Sequence, residues 1–248
     1  MSDQGGPRWD QFGAEYDQPP FVGKPKTYVI ASSGRSGSHF LANLLFHTGQ
    51  LGSPLEYLHP KHRMRWQKDL NQSNLRGTLR ALMARRSSAS GWFGIKAHWS
   101  QFSTVARREP LLRWLDVQSY IRLDRTDRVA QAVSMEIAKQ TGAWISWQKP
   151  SQVPVFDRAA IAKTIEELET EDQAWDAFFS SVQARPIRVS YEDLTQDPQS
   201  VTASICKALD VPVPPAAVDL ASAPKKQATT INDDWVTQYR SGSAFCPK

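Results

Sequence analysis

One stretch decides the fold of this chain: residues 27–48 read TYVIASSGRSGSHFLANLLFHT. The apolar residues 28–31 predict a buried strand. Residues 32–38 predict a tight turn, because Gly and Ser let the backbone curl and present its N–H groups. Residues 39–48 have the pattern of a helix whose positive end points at that turn. With Arg35 in the middle, such a unit is suited to hold a phosphate or sulfate group.

An ordinary strand-to-helix loop without a ligand is the alternative interpretation, since short Gly-rich motifs match by chance. The charge of Arg35 and the hydroxyls of Ser36 and Ser38 favour the anion site. The common nucleotide loop requires a Lys directly after its second Gly, whereas Gly37 is followed by Ser38. We therefore predict an anion-binding loop that is not an ordinary ATP or GTP loop.

Length and composition limit the classes of protein that this chain can belong to. Its 248 residues are 40% hydrophobic, enough for a substantial core. We expect a flexible N-terminal arm over residues 1–24, which is rich in Gly and Pro, and a single domain over residues 25–248. The net charge of +5 suits an anionic ligand but is too diffuse to indicate nucleic acid.

The two cysteines, Cys206 and Cys246, provide neither a disulfide framework nor a metal-binding pattern. No apolar stretch approaches the length of a membrane span. These features indicate a reducing compartment, and we expect a cytoplasmic protein.

Strand and helix patterns alternate along the chain. We predict further strands at residues 92–97, 118–123 and 186–190, and helices at 62–87, 101–115, 127–140, 157–182, 198–209 and 233–240. Thr126 is the expected N-cap of the helix at 127–140, and Gly142 follows its end. This alternation predicts a parallel sheet with helices on both faces. Ligands of such sheets bind at the carboxyl ends of the strands, which places the turn at 32–38, the loop after Ala97 and Arg125 at one edge.

Arg125 and Ser134 form a second possible anion site. They are nine residues apart, so within one helix they would point in opposite directions. If Arg125 lies in the loop before the helix, its side chain can fold back toward the Ser134 hydroxyl, and the two can clamp a phosphate. The alternative is a solvated surface Arg and a mid-helix Ser.

Glu56 is a candidate general base, because it lies in a loop stiffened by Pro54 and Pro60 and close to the expected anion site. A simple surface Glu is the alternative, and His59 and His98 compete for the same role. Trp99, Trp144 and Trp147 can either stack on a sugar or adenine ring or belong to the core. Lys226 can either close on a phosphate or remain in solvent.

Taken together, these stretches resemble the Stf0-type sulfotransferases. The matching segments are ASSGRSGS at 31–38, GSPLEY at 52–57, GIKAHW at 94–99, RTDRVAQAVS at 125–134, QTGAW at 140–144, YEDL at 191–194, and KQ at 226–227 with Trp235. The resemblance covers residues 27–240, and the order and spacing of the segments make it specific. His39 stands where the family commonly has Thr, and His98 where its type enzyme has an apolar residue.

The resemblance implies a P-loop-like three-layer α/β fold, a bacterial origin, a homodimer, and sulfuryl transfer from 3′-phosphoadenylyl sulfate (PAPS) to a hydroxyl of a carbohydrate such as trehalose or a glycolipid sugar. The product nucleotide would be 3′,5′-adenosine bisphosphate (PAP), and no metal is implied. Glu56 would be the base, and Arg35 would stabilise the charge that develops on the leaving phosphate. The residues implied for the 5′-phosphosulfate are Arg35, Ser36, Gly37, Ser38, His39 and Phe40; those for the 3′-phosphate are Arg125, Ser134 and Lys226; those for the acceptor are Glu56, His98, Trp99 and Trp144.

Two other functions remain open at this level. A non-catalytic nucleotide- or sugar-binding protein could keep the fold, and the His39 departure is consistent with it. A nucleotide-dependent kinase is disfavoured, because the loop Lys and a magnesium-binding carboxylate pattern are missing. Nucleic-acid binding is disfavoured as well, since the basic segment at residues 62–87 has no recognisable reading motif.

Overall fold

The structure is a computed structural model that describes residues 10–144, 148–213 and 230–242. Four strands form one sheet in the order β2-β1-β3-β4, and each neighbouring pair is parallel. The strands are β1 (Lys26–Ser32), β2 (Trp92–His98), β3 (Val117–Asp124) and β4 (Ile187–Ser190). Strands that are covered on both faces carry nearly continuous apolar runs, which is why these segments are recognisable in the sequence.

Helices connect the strands and follow the last one. Before β3 lie α1 (Ser38–His47), α2 (Pro60–Asp69), α3 (Leu75–Arg86), α4 (Trp99–Ala106) and α5 (Glu109–Leu115). After β3 lie α6 (Arg128–Thr141), α7 (Arg158–Ser181), α8 (Tyr191–Gln196), α9 (Pro198–Ala208) and α10 (Thr230–Ser241). This arrangement confirms the predicted α/β class, with a central parallel sheet flanked by helices.

The sheet separates two hydrophobic cores. Val29 and Ala31 of β1 belong to one core, and Tyr28 and Ile30 belong to the other. The alternation arises because successive side chains of a strand point to opposite faces. Helices α2 to α5 and α7 contribute to the first core, and α1, α8 and α9 contribute to the second. The result is a three-layer packing of helices, sheet and helices.

The register of the sheet brings the carboxyl ends of three strands to one edge. Ser32, the last residue of β1, pairs with His98 of β2 and with Leu123 of β3. The loops after β1, β2 and β3 therefore lie side by side, as the sequence predicted. Sites of parallel α/β sheets are formed at this edge.

Two predicted helices are each split in two. The segment predicted as a helix at 62–87 breaks between α2 and α3, where Asn71 adopts a left-handed φ of 50°. Asn74 then caps α3, its Oδ1 accepting a hydrogen bond from Gly77 N at 2.9 Å. The segment at 101–115 breaks into α4 and α5 because Pro110 has no N–H and is tolerated only in the first turn of a helix.

The start of α6 also differs from the prediction. Asp127, not Thr126, is the N-cap, and its Oδ1 accepts a hydrogen bond from Ala130 N at 3.0 Å. A carboxylate satisfies a free N–H at a helix start better than a Thr hydroxyl does, because it is both charged and a stronger acceptor. Gly142 ends the helix with a φ of 70°, as predicted.

Residues 10–18, called the N-terminal segment below, are anchored to the body of the protein. Tyr16 is only 4% exposed, and its carbonyl accepts a hydrogen bond from Ser53 Oγ at 2.6 Å. Asp17 pairs with Arg86 Nε at 2.9 Å. Residues 10–18 of the arm expected over 1–24 are thus packed against the body of the protein, through the buried Arg86 that the sequence pattern does not reveal.

No helix within the described ranges has both the length and the apolar character needed to cross a membrane.

Candidate active site

A cavity of about 1110 Å³ opens at the carboxyl edge of the sheet. Its lining includes the loop after β1, the start of α1, the end of β2 and the loop after β3. The N-terminal segment and residues of α2, α4, α6, α7, α8 and α10 also contribute to its walls. Most of the candidate residues proposed from the sequence meet in this one space, which is large enough for a nucleotide together with a second small molecule.

The loop after β1 depends on two left-handed residues. Arg35 has a φ of 61° and Gly37 a φ of 85°. A Cβ on Gly37 would lie 2.7 Å from Cδ2 of Tyr191, so a larger residue is excluded by both conformation and space. This loop therefore carries the Arg35 side chain on a strained turn directly before α1.

Internal hydrogen bonds fix the loop. Ser36 Oγ donates to Ser33 O at 2.8 Å, and Gln131 Nε2 of α6 donates to Ser33 Oγ at 3.0 Å and to Gly34 O at 2.7 Å. The Ser36 hydroxyl is buried and used within the loop, so it is not presented to the cavity as the sequence suggested. Gln131 was not singled out in the sequence, although it lies in one of the matching segments.

The first residues of α1 face the cavity. Ser38, His39 and Phe40 belong to the cavity lining, and no side chain caps the helix at Gly37. The N–H groups of a first helical turn have no partners within the helix and carry its partial positive charge. The start of α1 is thus a suitable place for an anionic group.

Arg35, Arg125, Ser134 and Tyr191 form the arginine cluster. Arg35 Nε donates to Ser134 Oγ at 3.0 Å, and Arg125 Nη1 donates to the carbonyl of Arg35 at 3.1 Å. The Arg125 guanidinium lies 4.4 Å from the ring centroid of Tyr191. The Ser134 hydroxyl thus contacts Arg35 and not Arg125, and all three residues line the same cavity. No role was predicted for Tyr191, although it begins the matching YEDL segment.

The arginine cluster is a concentration of positive charge. Burial and the neighbouring charge of Arg125 lower the pKa of Arg35 to about 10. Burial also lowers the pKa of Arg125, whose Nε is buried without a hydrogen-bond partner in the described part of the chain. Two adjacent guanidinium groups with an unsatisfied donor are the arrangement that a bound phosphate would complete.

Glu192 holds the loop that carries Arg125. Its carboxylate accepts hydrogen bonds from the N–H groups of Thr126 and Asp127, both at 3.2 Å. Burial raises the pKa of Glu192, but these backbone donors outweigh burial and lower it. The YEDL segment noted in the sequence thus supplies both Tyr191, which packs against Arg125, and the carboxylate that fixes its loop.

Glu56, Lys96, Gln101 and His39 form the glutamate cluster. Leu55 makes a parallel bridge to Ile95, with Lys96 N donating to Leu55 O at 3.0 Å, and this bridge places Glu56 beside Lys96 of β2. Glu56 Oε1 contacts Lys96 Nζ and lies 3.5 Å from His39 Nε2. Gln101 Nε2 donates to Glu56 Oε2 at 3.3 Å. Lys96 and Gln101 were given no role in the sequence analysis.

The surroundings of Glu56 keep it ionised. Burial raises the pKa of its carboxyl, but the charge of Lys96 and the hydrogen bond that Lys96 donates outweigh burial and hold the pKa well below its ordinary value. Burial and Lys96 lower the pKa of His39, which is therefore a neutral imidazole at neutral pH. A surface Glu, the alternative considered above, is excluded because the Glu56 side chain is only 13% exposed.

His98 and His59, the alternatives to Glu56 as general base, also border the cavity. His98 ends β2, and its Nδ1 lies 3.2 Å from both Oγ and the carbonyl oxygen of Ser32. His59 precedes α2, and its ring centroid lies 4.2 Å from that of His62. Burial lowers the pKa of His59. His98 is the stronger competitor, because its Nδ1 contacts fix the orientation of the ring.

The tryptophans separate into two groups. Trp144 lines the cavity, is 46% exposed, and accepts a hydrogen bond from Arg35 Nη1 at its carbonyl, 2.7 Å away. Trp99 does not line it; its ring packs against Trp175 and Phe178, with centroids 5.2 and 5.7 Å away. This packing favours the alternative named above, that Trp99 belongs to the core, because the start of α4 turns the ring toward Trp175. Trp147 and Lys226 lie outside the described residues.

The described ranges contain no group of three or more His, Cys, Asp or Glu side chains that could hold a metal ion.

Comparisons with known proteins give the family. The model of the Stf0 sulphotransferases matches residues 27–242. The chain is 26% identical to the trehalose 2-sulfotransferases of Mycolicibacterium smegmatis and Mycobacterium tuberculosis, in each case over 87% of this chain and 95% of the relative. A solved sulfotransferase domain from the curacin biosynthetic pathway is 18% identical with a TM-score of 0.47, covering 90% of this chain and 93% of that domain. The family match spans both the arginine and the glutamate clusters, and the chain is therefore a sulfotransferase of the Stf0 family.

Proposed function

We propose that this enzyme transfers a sulfuryl group from PAPS to a hydroxyl of a carbohydrate, with Glu56 as the general base. The observation that carries the proposal is the presence of both clusters in one cavity. His39 contacts Glu56 at 3.5 Å, and its own pKa is lowered in part by the charge of Arg35. A site for an anionic donor thus adjoins an ionised carboxylate.

The residues of the arginine cluster fit the donor. When bound, PAPS supplies the activated sulfuryl group and leaves as PAP. In the proposal, Arg35 and the first N–H groups of α1 hold the 5′-phosphosulfate. Arg125 and Ser134 hold the 3′-phosphate, together with Lys226. The unsatisfied Nε of Arg125 and the uncapped start of α1 support this assignment.

Glu56 would take the proton of the acceptor hydroxyl. Its pKa lies well below the ordinary value, so the carboxylate is ready to accept a proton at neutral pH. The same shift makes it a weak base, because basicity falls with pKa. Stabilisation of the leaving group by Arg35 therefore has to supply a large share of the rate enhancement.

Lys96 would act as a positioning residue for Glu56. Its side chain is only 1% exposed, and in the described structure its ammonium group contacts the Glu56 carboxylate. Burial of the pair excludes water and fixes the carboxylate orientation, while Gln101 binds the other carboxylate oxygen at 3.3 Å. Such buried pairs restrict a side chain to one geometry.

Trehalose is the first acceptor to test, since the two named relatives are trehalose 2-sulfotransferases. His98 and Trp144 line the same cavity and would border the acceptor. Amide, imidazole and carboxylate groups next to aromatic rings suit a ring-shaped molecule with many hydroxyls.

The decisive experiment is a calorimetric titration with PAP and, separately, with ATP, both without magnesium. We expect micromolar affinity for PAP and at least tenfold weaker binding of ATP, because the second arginine site recognises the 3′-phosphate that ATP lacks. A sulfate-transfer assay with PAPS and trehalose follows. Equal affinity for the two nucleotides would contradict the donor assignment. Tight PAP binding without transfer to any sugar would contradict the carbohydrate acceptor alone.

A further inference from the structure

The N-terminal segment lies outside the part of the chain that matches the family, which begins at residue 27. Asp10, Gln11 and Phe12 nevertheless belong to the lining of the cavity. This wall lies outside residues 27–242, which match the family model, so it is a place where this enzyme can differ from its relatives.

The segment is held by several independent contacts. Arg86, which is fully buried, donates from Nη2 to Gly13 O at 3.0 Å. Gln18 N donates to Arg85 O at 2.7 Å. These contacts add to the buried Tyr16 and the Asp17 ion pair described above. The segment is thus fixed at its centre and at its end, where residues 13–18 contact the end of α3.

Phe12 connects the segment to the glutamate cluster. Its ring packs against Trp66, with centroids 4.8 Å apart, and meets the edge of His62 at 5.6 Å. The guanidinium of Arg65 lies 3.9 Å from the same ring. His62 Nδ1 in turn lies 3.4 Å from the carbonyl oxygen of Glu56. A continuous wall therefore runs from Phe12 through His62 to the backbone of Glu56.

Gln11 brings hydrogen-bonding groups to this wall. It is half-buried in the cavity lining, and within the described ranges its side-chain amide makes no hydrogen bond. The amide offers two donors and one acceptor oxygen. Beside it, Asp10 Oδ1 accepts a hydrogen bond from Phe12 N at 3.2 Å, which orders the turn. Phe12 thus forms a fixed apolar surface, with an unused amide next to it.

We propose that the N-terminal segment forms an acceptor subsite, in which Gln11 binds hydroxyls of the sugar and Phe12 limits its shape. The inference rests on the proposed function, because it takes the molecule near Glu56 to be the acceptor. It assigns acceptor selection to residues outside the family region. The donor site, which is built from the family segments, is independent of the N-terminal segment.

The test compares Gln11→Ala with Glu15→Ala, using PAPS as the donor and a panel of sugars headed by trehalose. Glu15 is exposed on the same segment and does not line the cavity, so it is the matched control. We expect Gln11→Ala to raise KM for the preferred sugar about five- to tenfold, as the loss of one or two hydrogen bonds predicts. The affinity for PAP stays within about twofold, and Glu15→Ala behaves as wild type.

Phe12→Ala provides the second variant, with the thermal midpoint measured in parallel. We expect Phe12→Ala to sulfate a wider range of the sugars in the panel, because the variant removes a rigid wall of the cavity. Unchanged sugar KM in Gln11→Ala together with an unchanged sugar profile in Phe12→Ala would overturn the inference while leaving the proposed function intact. Tight PAP binding by wild-type protein that accepts no sugar would overturn the subsite and the carbohydrate acceptor but not the donor. No binding of PAP would overturn the proposed function itself.

Discussion

The arginine cluster and the glutamate cluster share one cavity but have opposite electrostatic designs. In the arginine cluster, two guanidinium groups lie together, and burial lowers the pKa of each. In the glutamate cluster, a single carboxylate is surrounded by Lys96 and imidazole rings and stays ionised. The first arrangement concentrates positive charge, which an anionic ligand can balance. The glutamate cluster already contains a counter-charge, the ammonium group of Lys96, which keeps the Glu56 carboxylate ionised.

The two clusters also differ in how the chain assembles them. Arg35 and Arg125 lie in loops directly after neighbouring strands, so a parallel sheet brings them together. Glu56 is not on a strand of the sheet; it follows Leu55, whose bridge to Ile95 fixes its place beside Lys96. The arginine cluster is therefore a consequence of topology, whereas the glutamate cluster depends on one irregular contact.

The largest expected effect is on the glutamate cluster. Glu56→Gln keeps the shape of the side chain but cannot accept the proton, so we expect kcat to fall by about 100-fold or more. The affinity for PAP, measured by calorimetry, stays within about twofold because the arginine cluster is intact. Glu169→Gln, at an exposed position of α7, is the matched control. Full activity of Glu56→Gln combined with an inactive His98→Gln variant would move the role of base to His98.

A smaller effect is expected on the arginine cluster. Arg125→Ala removes charge-assisted hydrogen bonds, and we expect the Kd for PAP to rise about tenfold or more. KM for the sugar should change little, since the acceptor wall is built from other elements. Arg80→Ala removes an exposed arginine from α3 and controls for net charge. If Arg125→Ala binds PAP as tightly as wild type does, the assignment of the 3′-phosphate to Arg125 is wrong.

The smallest effect concerns stability and pH. Burial lowers the pKa of His39, His59 and His62 in the folded state, whereas their unfolded forms titrate near about 6.5. The unfolded chain therefore binds more protons below that pH, and folding stability decreases as the pH falls. We expect the thermal midpoint to be a few degrees lower at pH 5 than at pH 7.5.

His39→Gln removes one of these groups and should reduce that pH-dependent drop. The contribution of Glu56 to folding stability changes over a different pH range. Its folded pKa is lowered, so its stabilisation is fully present above its ordinary value near 4.5 and is lost only as the pH falls below it. A drop of the same size in wild type and His39→Gln would show that the imidazole of His39 is not held neutral by the fold.

Prediction from the sequence succeeded where the signal was local. The strand, turn and helix at residues 27–48 are found as β1, the loop and α1, because Gly and Ser in a turn and an apolar run before it have direct conformational meanings. One local signal was overlooked: Pro110 breaks the helix predicted at 101–115. Contacts between distant residues could not be predicted in this way. The packing of Trp99 against Trp175, which favours a core position for Trp99 over an acceptor contact, is an example.

The sequence by itself determined the α/β alternation, the anion loop with Arg35, the candidate base Glu56 and the family. Each of these follows from neighbouring residues or from ordered motifs. Only the tertiary structure decided that Ser134 contacts Arg35, that Lys96 holds Glu56 ionised, and that the N-terminal segment forms a wall of the cavity. The physical reason is that these contacts join residues far apart in the chain, and strand register and buried packing, not local conformational preference, bring them together.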